Sequence, residues 1–183
     1  MTAECALACA AAGIDGVDVA AVPVRVDLPA GPARDWLMSR LKAWGGTIVE
    51  DGTTATIHIA AAPVDAPPRL ALRPGETAWL ARTDDGIALE VPTRFDGMVG
   101  AALGLVQPVI AHLTGHSPAP VPATLTRKIA SRVGATELVL IAFDGETAEP
   151  LGVGDVTLAA LARANAYTLI ATQDEGHPAG ARI

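Results

Sequence analysis

The sequence predicts an α/β protein: a mostly parallel sheet with flanking helices, followed by a small C-terminal β-barrel-like domain. Three observations carry that expectation. Helix-like and strand-like segments alternate through the first part of the chain. The stretch "HSPAPVPAT" (116–124) then interrupts it with three prolines in nine residues. Short strands at turn-punctuated intervals follow. The implied organisation is an N-terminal helix over 1–16, an α/β domain over 17–120 and a β-domain over 121–183.

The elements follow in order. "TAECALACAAAGID" holds strong helix formers and stops at Gly13 and Gly16. "VDVAAVPVRVDL" (17–28) reads as a strand whose hydrogen-bonded part begins after Pro23. Gly31-Pro32 opens a helix with Trp36, Leu37, Leu41 and Trp44 at helical spacing, closed by Gly45-Gly46. "TIVEDG" and "TATIHIAAAP" read as two short strands, and "LAL" (70–72) as another that runs into the turn Arg73-Pro74-Gly75. "TAWLAR" and "IALEV" form a hairpin about Asp85-Gly86. The span 94–115 is a long apolar core helix, kinked at Pro108 and ended by Gly115. Beyond the proline-rich break, "LTRKIASRV", "ELVLIAF" and "AEPLG" read as strands, "TLAALARA" as two helical turns and "AYTLIAT" as a last strand.

The 183-residue chain carries a net charge of −7, so no basic surface points to nucleic acid or an anionic membrane. Any phosphate-bearing ligand has to be held by a local group of arginines. The two cysteines, Cys5 and Cys9, are too few for a disulfide framework, and they sit one helical turn apart as small core residues. The N-terminal stretch has an acid where a secretory signal wants a base, and the expectation is a soluble, cytoplasmic protein.

Two segments carry a resemblance. "TRKIASRVGATELVLIAFDGETAEPLGVGDVTLAALARANAYTLIATQDEGHPAGARI" is similar to the last domain of the MoeA-type molybdopterin molybdotransferases, the gephyrin E-domain relatives. The similarity lies in its "EPLG" turn, the "LAALARANAYTLI" segment and a closing G-x-x-I. "RPGETAWLAR…LEVPTRFDGMVGAALGLVQPVIAHLTG" resembles the second half of that family's cofactor-binding α/β domain, and "AAAGIDGVDVAAVPVRVDLPAG" the approach to its first strand. The chain resembles a truncated, divergent member without the family's long N-terminal domain and inserted β-domain.

In that family, loops at the strand ends do the chemistry. Where a loop like "TGDEL" would supply acids, this chain reads Pro29-Ala30-Gly31-Pro32-Ala33. Where "TGGxS" would let backbone N–H groups approach a ligand, it reads Ala60-Ala61-Ala62-Pro63. The "LPGNP" loop becomes Val91-Pro92-Thr93-Arg94-Phe95, and the basic turn like "KPGKP" becomes Arg73-Pro74-Gly75-Glu76-Thr77, with an acid at its second basic position. By resemblance, Arg73, Pro74, Gly75, Pro92, Thr93 and Arg94 are the cofactor-binding residues, with no catalytic residue and no metal ligand assigned. The implied ligand is molybdopterin or its adenylate, and the implied role is molybdenum cofactor biosynthesis or maturation. Family members move molybdenum from molybdate into adenylylated molybdopterin with a divalent ion, so Mg²⁺ is a possible companion. Two alternatives stand: a non-catalytic module docking a partner molybdoenzyme, a maturation factor or a second copy (family members are dimers), and a transferase active only with a partner subunit.

The residues also have plainer readings. Arg73, Arg94 and Arg69 can hold a phosphate together, or pair with Glu76, Asp96 or Glu90 as surface ion pairs. Asp84-Asp85 reads as a hairpin turn rather than a Mg²⁺ ligand pair. His58 reads as a half-exposed sheet residue, His112 as a helix-end cation, and His116 and His177 as loop residues.

Overall fold

The computed structural model describes residues 21–50, 53–115 and 119–183. The expected N-terminal helix with Cys5 and Cys9 lies outside the described residues, as does His116. The chain runs β1 (Val22–Asp27), α1 (Pro32–Ala43), β2 (Gly46–Ile48), β3 (Ile57–Ala61), β4 (Leu72–Arg73), β5 (Trp79–Thr83) and β6 (Gly86–Val91). A helix then spans Phe95–Thr114: α2 (Phe95–Ala101), a π-helical stretch (Ala102–Val106) and α3 (Gln107–Thr114). There follow β7 (Thr124–Leu125), β8 (Ile129–Ala130), β9 (Thr136–Phe143), β10 (Thr147–Val153), α4 (Leu158–Arg163), β11 (Ala166–Ile170) and β12 (Gly176–His177).

The first sheet has the order β2-β1-β3-β6-β5, parallel except for the β5–β6 hairpin. Its strands alternate: Val22, Val24, Ile57, Ile59, Leu89 and Val91 point into a core closed by Leu37 and Leu41 of α1 and by Met98, Val106 and Ile110 of the long helix. Arg25, Asp27, His58, Glu90 and Trp79 point the other way and are half-buried or exposed. Asp84-Asp85 forms the hairpin turn, as expected, with Thr83 opposite Gly86. Pro23 corrects the first strand's start, because β1 begins one residue before it. Its carbonyl still takes part in the sheet, accepting from Thr56 N–H (2.9 Å) just ahead of β3.

Pro108 shapes the long helix. A proline has no N–H to give the preceding turn, and the stretch just before it opens to π geometry, with Gln107 N–H bonded to Ala102 C=O. Gly115 ends the helix in the left-handed conformation, at φ 67°.

The C-terminal sheet has the order β11-β9-β10-β7. β9, "TELVLIAF", is buried along most of its length because it is covered on both faces. Val139 and Ile141 join one cluster with Leu125, Ile129 and Ile170, while Leu138 and Leu140 join another with Val99 of α2 and Val156 and Ala160 beside and within α4. The "EPLG" segment is no turn: Glu149–Gly152 runs inside β10, where a register shift between Pro150 and Gly152 absorbs the proline. His177 lies not in a loop but in β12, opposite Ile129.

One crossing links the two sheets. β4 does not extend the first sheet; it pairs in parallel with β9, setting Leu72 beside Thr136 and Arg73 beside Glu137. The turn after β4 then rests on α2. A Cβ on Gly75, which has φ +119°, would stand 2.9 Å from Ala101 N.

Candidate functional site

Two adjoining hollows lie at the carboxyl edge of the first sheet, the larger of them facing the C-terminal sheet. One, of about 270 Å³, is lined by the ends of β3 and β6: Ala62 and Pro63, Pro92, Thr93 and Arg94, with Gly75, Glu76 and Thr77 from the turn after β4. The other, of about 520 Å³, lies between Arg73, Pro74, Glu76, Arg94 and Asp96 on one side and Arg132, Glu137 and Asp155 on the other. Glu76 and Arg94 line both. The six residues expected from the sequence therefore gather on this one edge. Arg69 does not: its Nη1 donates to Glu90 Oε2 at 2.7 Å and its guanidinium sits 5.7 Å over the Trp79 ring, on the sheet face away from the core.

Three guanidiniums meet four carboxylates in the larger hollow, and their pairings differ. Arg94 is 80% exposed, yet both its Nε and its Nη2 donate to the Asp96 carboxylate, the Nε bond being 2.9 Å. Partial burial opposes ionisation of Asp96, but the hydrogen bond from Arg94, the Gly97 N–H and the Arg94 charge together hold its carboxyl below the usual range. The same hydrogen bond and charge raise Arg94. Glu76 Oε2 accepts the Gly75 N–H at 3.0 Å, and Glu137, 6% exposed, accepts the Arg132 N–H at 3.1 Å. Among the described residues neither Arg73 nor Arg132 has a carboxylate within ion-pair distance. These two cations are placed to meet an anion without first breaking a pair.

Arg132, Glu137 and Asp155 escaped the sequence reading, because nothing local to "SRVG" or "GVGD" tells which strand end they will face. Glu137 did leave a signal, as an acid directly before the run "LVLIAF". A second pair was also missed: His58 Nε2 and Asp27 Oδ2 are 2.6 Å apart on the outward face of the first sheet. His112 is exposed in the last turn of α3, as expected. Among the described residues no three His, Cys, Asp or Glu side chains gather as metal ligands, and no chemistry is routed through Mg²⁺.

No protein-family model and no curated protein matches the sequence. Solved structures do. The molybdenum cofactor biosynthesis protein from Pyrococcus furiosus superposes with a TM-score of 0.73 at 14% identity, over 100% of this chain and 74% of that one. A molybdopterin biosynthesis MoeA protein from Pyrococcus horikoshii OT3 gives 0.69 at 16% identity, and a second structure under the same description from that species gives 0.66 at 15%. This chain has the MoeA fold. It covers 58% of each of the two P. horikoshii chains. Identities this low carry the fold and nothing finer. The basic turn and the "VPTRF" loop lie on the same hollow-bearing edge.

Proposed function

We propose that this protein binds molybdopterin, or its adenylate, in the two hollows at the carboxyl edge of the sheet, and serves molybdenum cofactor biosynthesis or maturation. The observation that carries this reading is the convergence of Arg73, Arg94 and Arg132 on one hollow between the two halves of a MoeA-like fold. A phosphate-bearing ligand needs such a local cluster, because the protein as a whole is acidic. Arg73 and Arg132 would take phosphate oxygens, Arg94 would join them on release from Asp96, and Pro92 and Thr93 would border the pterin. Residues 17–120 and 121–183 act in this reading as two units whose junction is the site. Unaided metal insertion is not assigned, since the loops after β1 and β3 carry neither the acids nor the glycines that the transferase pattern calls for.

Calorimetry with purified molybdopterin, or its adenylate, tests the proposal. The expected dissociation constant is on the order of micromolar, weakened at least about tenfold in Arg73→Ala/Arg94→Ala. Undetectable binding by the wild type would overturn it. Molybdate-dependent AMP release by the isolated chain would overturn the reading of the loops. A second reading, a module docking a molybdoenzyme or another copy of this chain, is favoured by the outward sheet face with Asp27, His58, Glu90 and Trp79.

A further inference from the structure

The protein contains three tryptophans, one tyrosine and two phenylalanines, and its core is otherwise aliphatic. Trp36, Trp44 and Tyr167 pack on one side against that core and stand part-exposed on the other, around a third hollow of about 240 Å³ between α1, the π-helical stretch and β11. It shares no lining residue with the two at the sheet edge.

Two indoles and the Tyr167 ring line it, with Arg40, Gln107 and Asn165 as further polar side chains. Trp36 is held edge-on by Phe95, with ring centroids 6.3 Å apart, and the Arg40 guanidinium lies 5.6 Å over its ring. Among the described residues Arg40 has no carboxylate partner. The Tyr167 phenol bonds Gln107 Oε1 at 3.0 Å. That contact occupies the amide oxygen and leaves the amide NH₂ as a donor, with no partner among the described residues. Burial pushes the phenol's pKa up, and its O–H is spent on the Gln107 amide oxygen. Pockets for drug-sized molecules run from about 300 Å³ upward, so this one suits one or two fused rings rather than a nucleotide.

We propose that the hollow between Trp36, Trp44 and Tyr167 binds a small planar aromatic carboxylate, its ring against the indoles and its carboxylate on Arg40 and the Gln107 amide. The site is independent of the cofactor reading, and the failure of either leaves the other standing.

The test titrates the full chain by calorimetry with indole-3-carboxylate and, in parallel, with the neutral indole-3-carboxamide. Saturable submillimolar binding of the carboxylate is expected. Arg40→Gln should weaken the carboxylate about fivefold or more and leave the carboxamide unchanged, while Trp44→Ala should weaken both. Arg40 is exposed, so its variant tests the site even if Trp44→Ala fails to fold. No saturation by about 5 mM, a ceiling that admits only millimolar affinity, would overturn the proposal. So would full carboxylate affinity in Arg40→Gln or in a folded Trp44→Ala.

Discussion

Gly100→Ala sets two known effects against each other at the point where the turn after β4 meets the long helix. In a helix interior, alanine is favoured over glycine by about 1 kcal/mol. Here, however, the new Cβ would stand 2.6 Å from the Pro74 carbonyl carbon and closer still to its oxygen. Both are backbone atoms of a buried residue, so no side-chain rotation relieves the overlap. Overpacking of this kind costs about 1–3 kcal/mol, and a rigid backbone neighbour puts the cost at the upper end. The net expectation is a loss of about 2 kcal/mol, read by urea denaturation at unchanged m. Gly104→Ala is the control. Its nearest contacts would be side-chain atoms, the Leu72 methyl carbons at 2.9 Å; a side chain, even a buried one, gives way at less cost than backbone, so the loss should be smaller than for Gly100→Ala. Equal stabilities for the two variants, or a Gly100→Ala protein as stable as the wild type, would refute the account of how the turn is seated.

Two further outcomes follow from electrostatics. Asp144 accepts Thr147 N–H (2.7 Å), Glu146 N–H (3.0 Å) and the Thr147 hydroxyl (2.8 Å), which depress its carboxyl pKa to about 2; because the folded value lies below the unfolded one, the stabilisation is complete above about pH 4 and lost as pH falls through 2. Carbon-detected NMR titration should place that carboxyl near 2, and Asp144→Asn should abolish this part of the acid dependence. Asp96→Asn releases Arg94 from its ionic partner, so inorganic phosphate should bind the larger hollow several-fold more tightly than in wild type at low salt, with the gain fading as salt rises; an unchanged affinity would mean that the Arg94 guanidinium does not reach the bound anion.

Much of the fold was legible because its signals are local. The helix at 32–43 announces itself through Gly31-Pro32 and the spacing of Leu37 and Leu41, and the hairpin through Asp85-Gly86 between alternating strands. Pairings between distant segments were not legible. β4 is two residues long and takes its partner from β9, more than sixty residues on, and no periodicity exists in a strand that short. The Asp27–His58 contact needs the knowledge that β1 and β3 are neighbours, which alternation alone does not give. The candidate site divides along the same line. Arg73 and Arg94 were readable from loops with a recognisable grammar, whereas Arg132, Glu137 and Asp155 reach the hollow only through the docking of β9 and β10.

The packing beneath the loops separates what seats them from what their tips present to the hollow. Three glycines on the long helix each receive one element: Gly97 lies under Pro92, Gly100 under Pro74 and Gly104 under Leu72. The position of the "VPTRF" loop and of the basic turn is therefore set by contacts at Pro92, Pro74 and Leu72, not by Thr93, Arg94 or Glu76 at the tips. Tip residues free of that packing can be exchanged without moving the strands that carry them. What such exchanges alter is the electrostatics of the hollow. Arg94 arrives together with Asp96, which neutralises it, and Glu76 folds back on the Gly75 N–H. The anion-attracting potential that remains rests on Arg73, contributed by the first half of the chain, and Arg132, contributed by the second. On the proposed reading, such a site exists only while β4 stays paired to β9, which would couple ligand affinity to the stability of that junction.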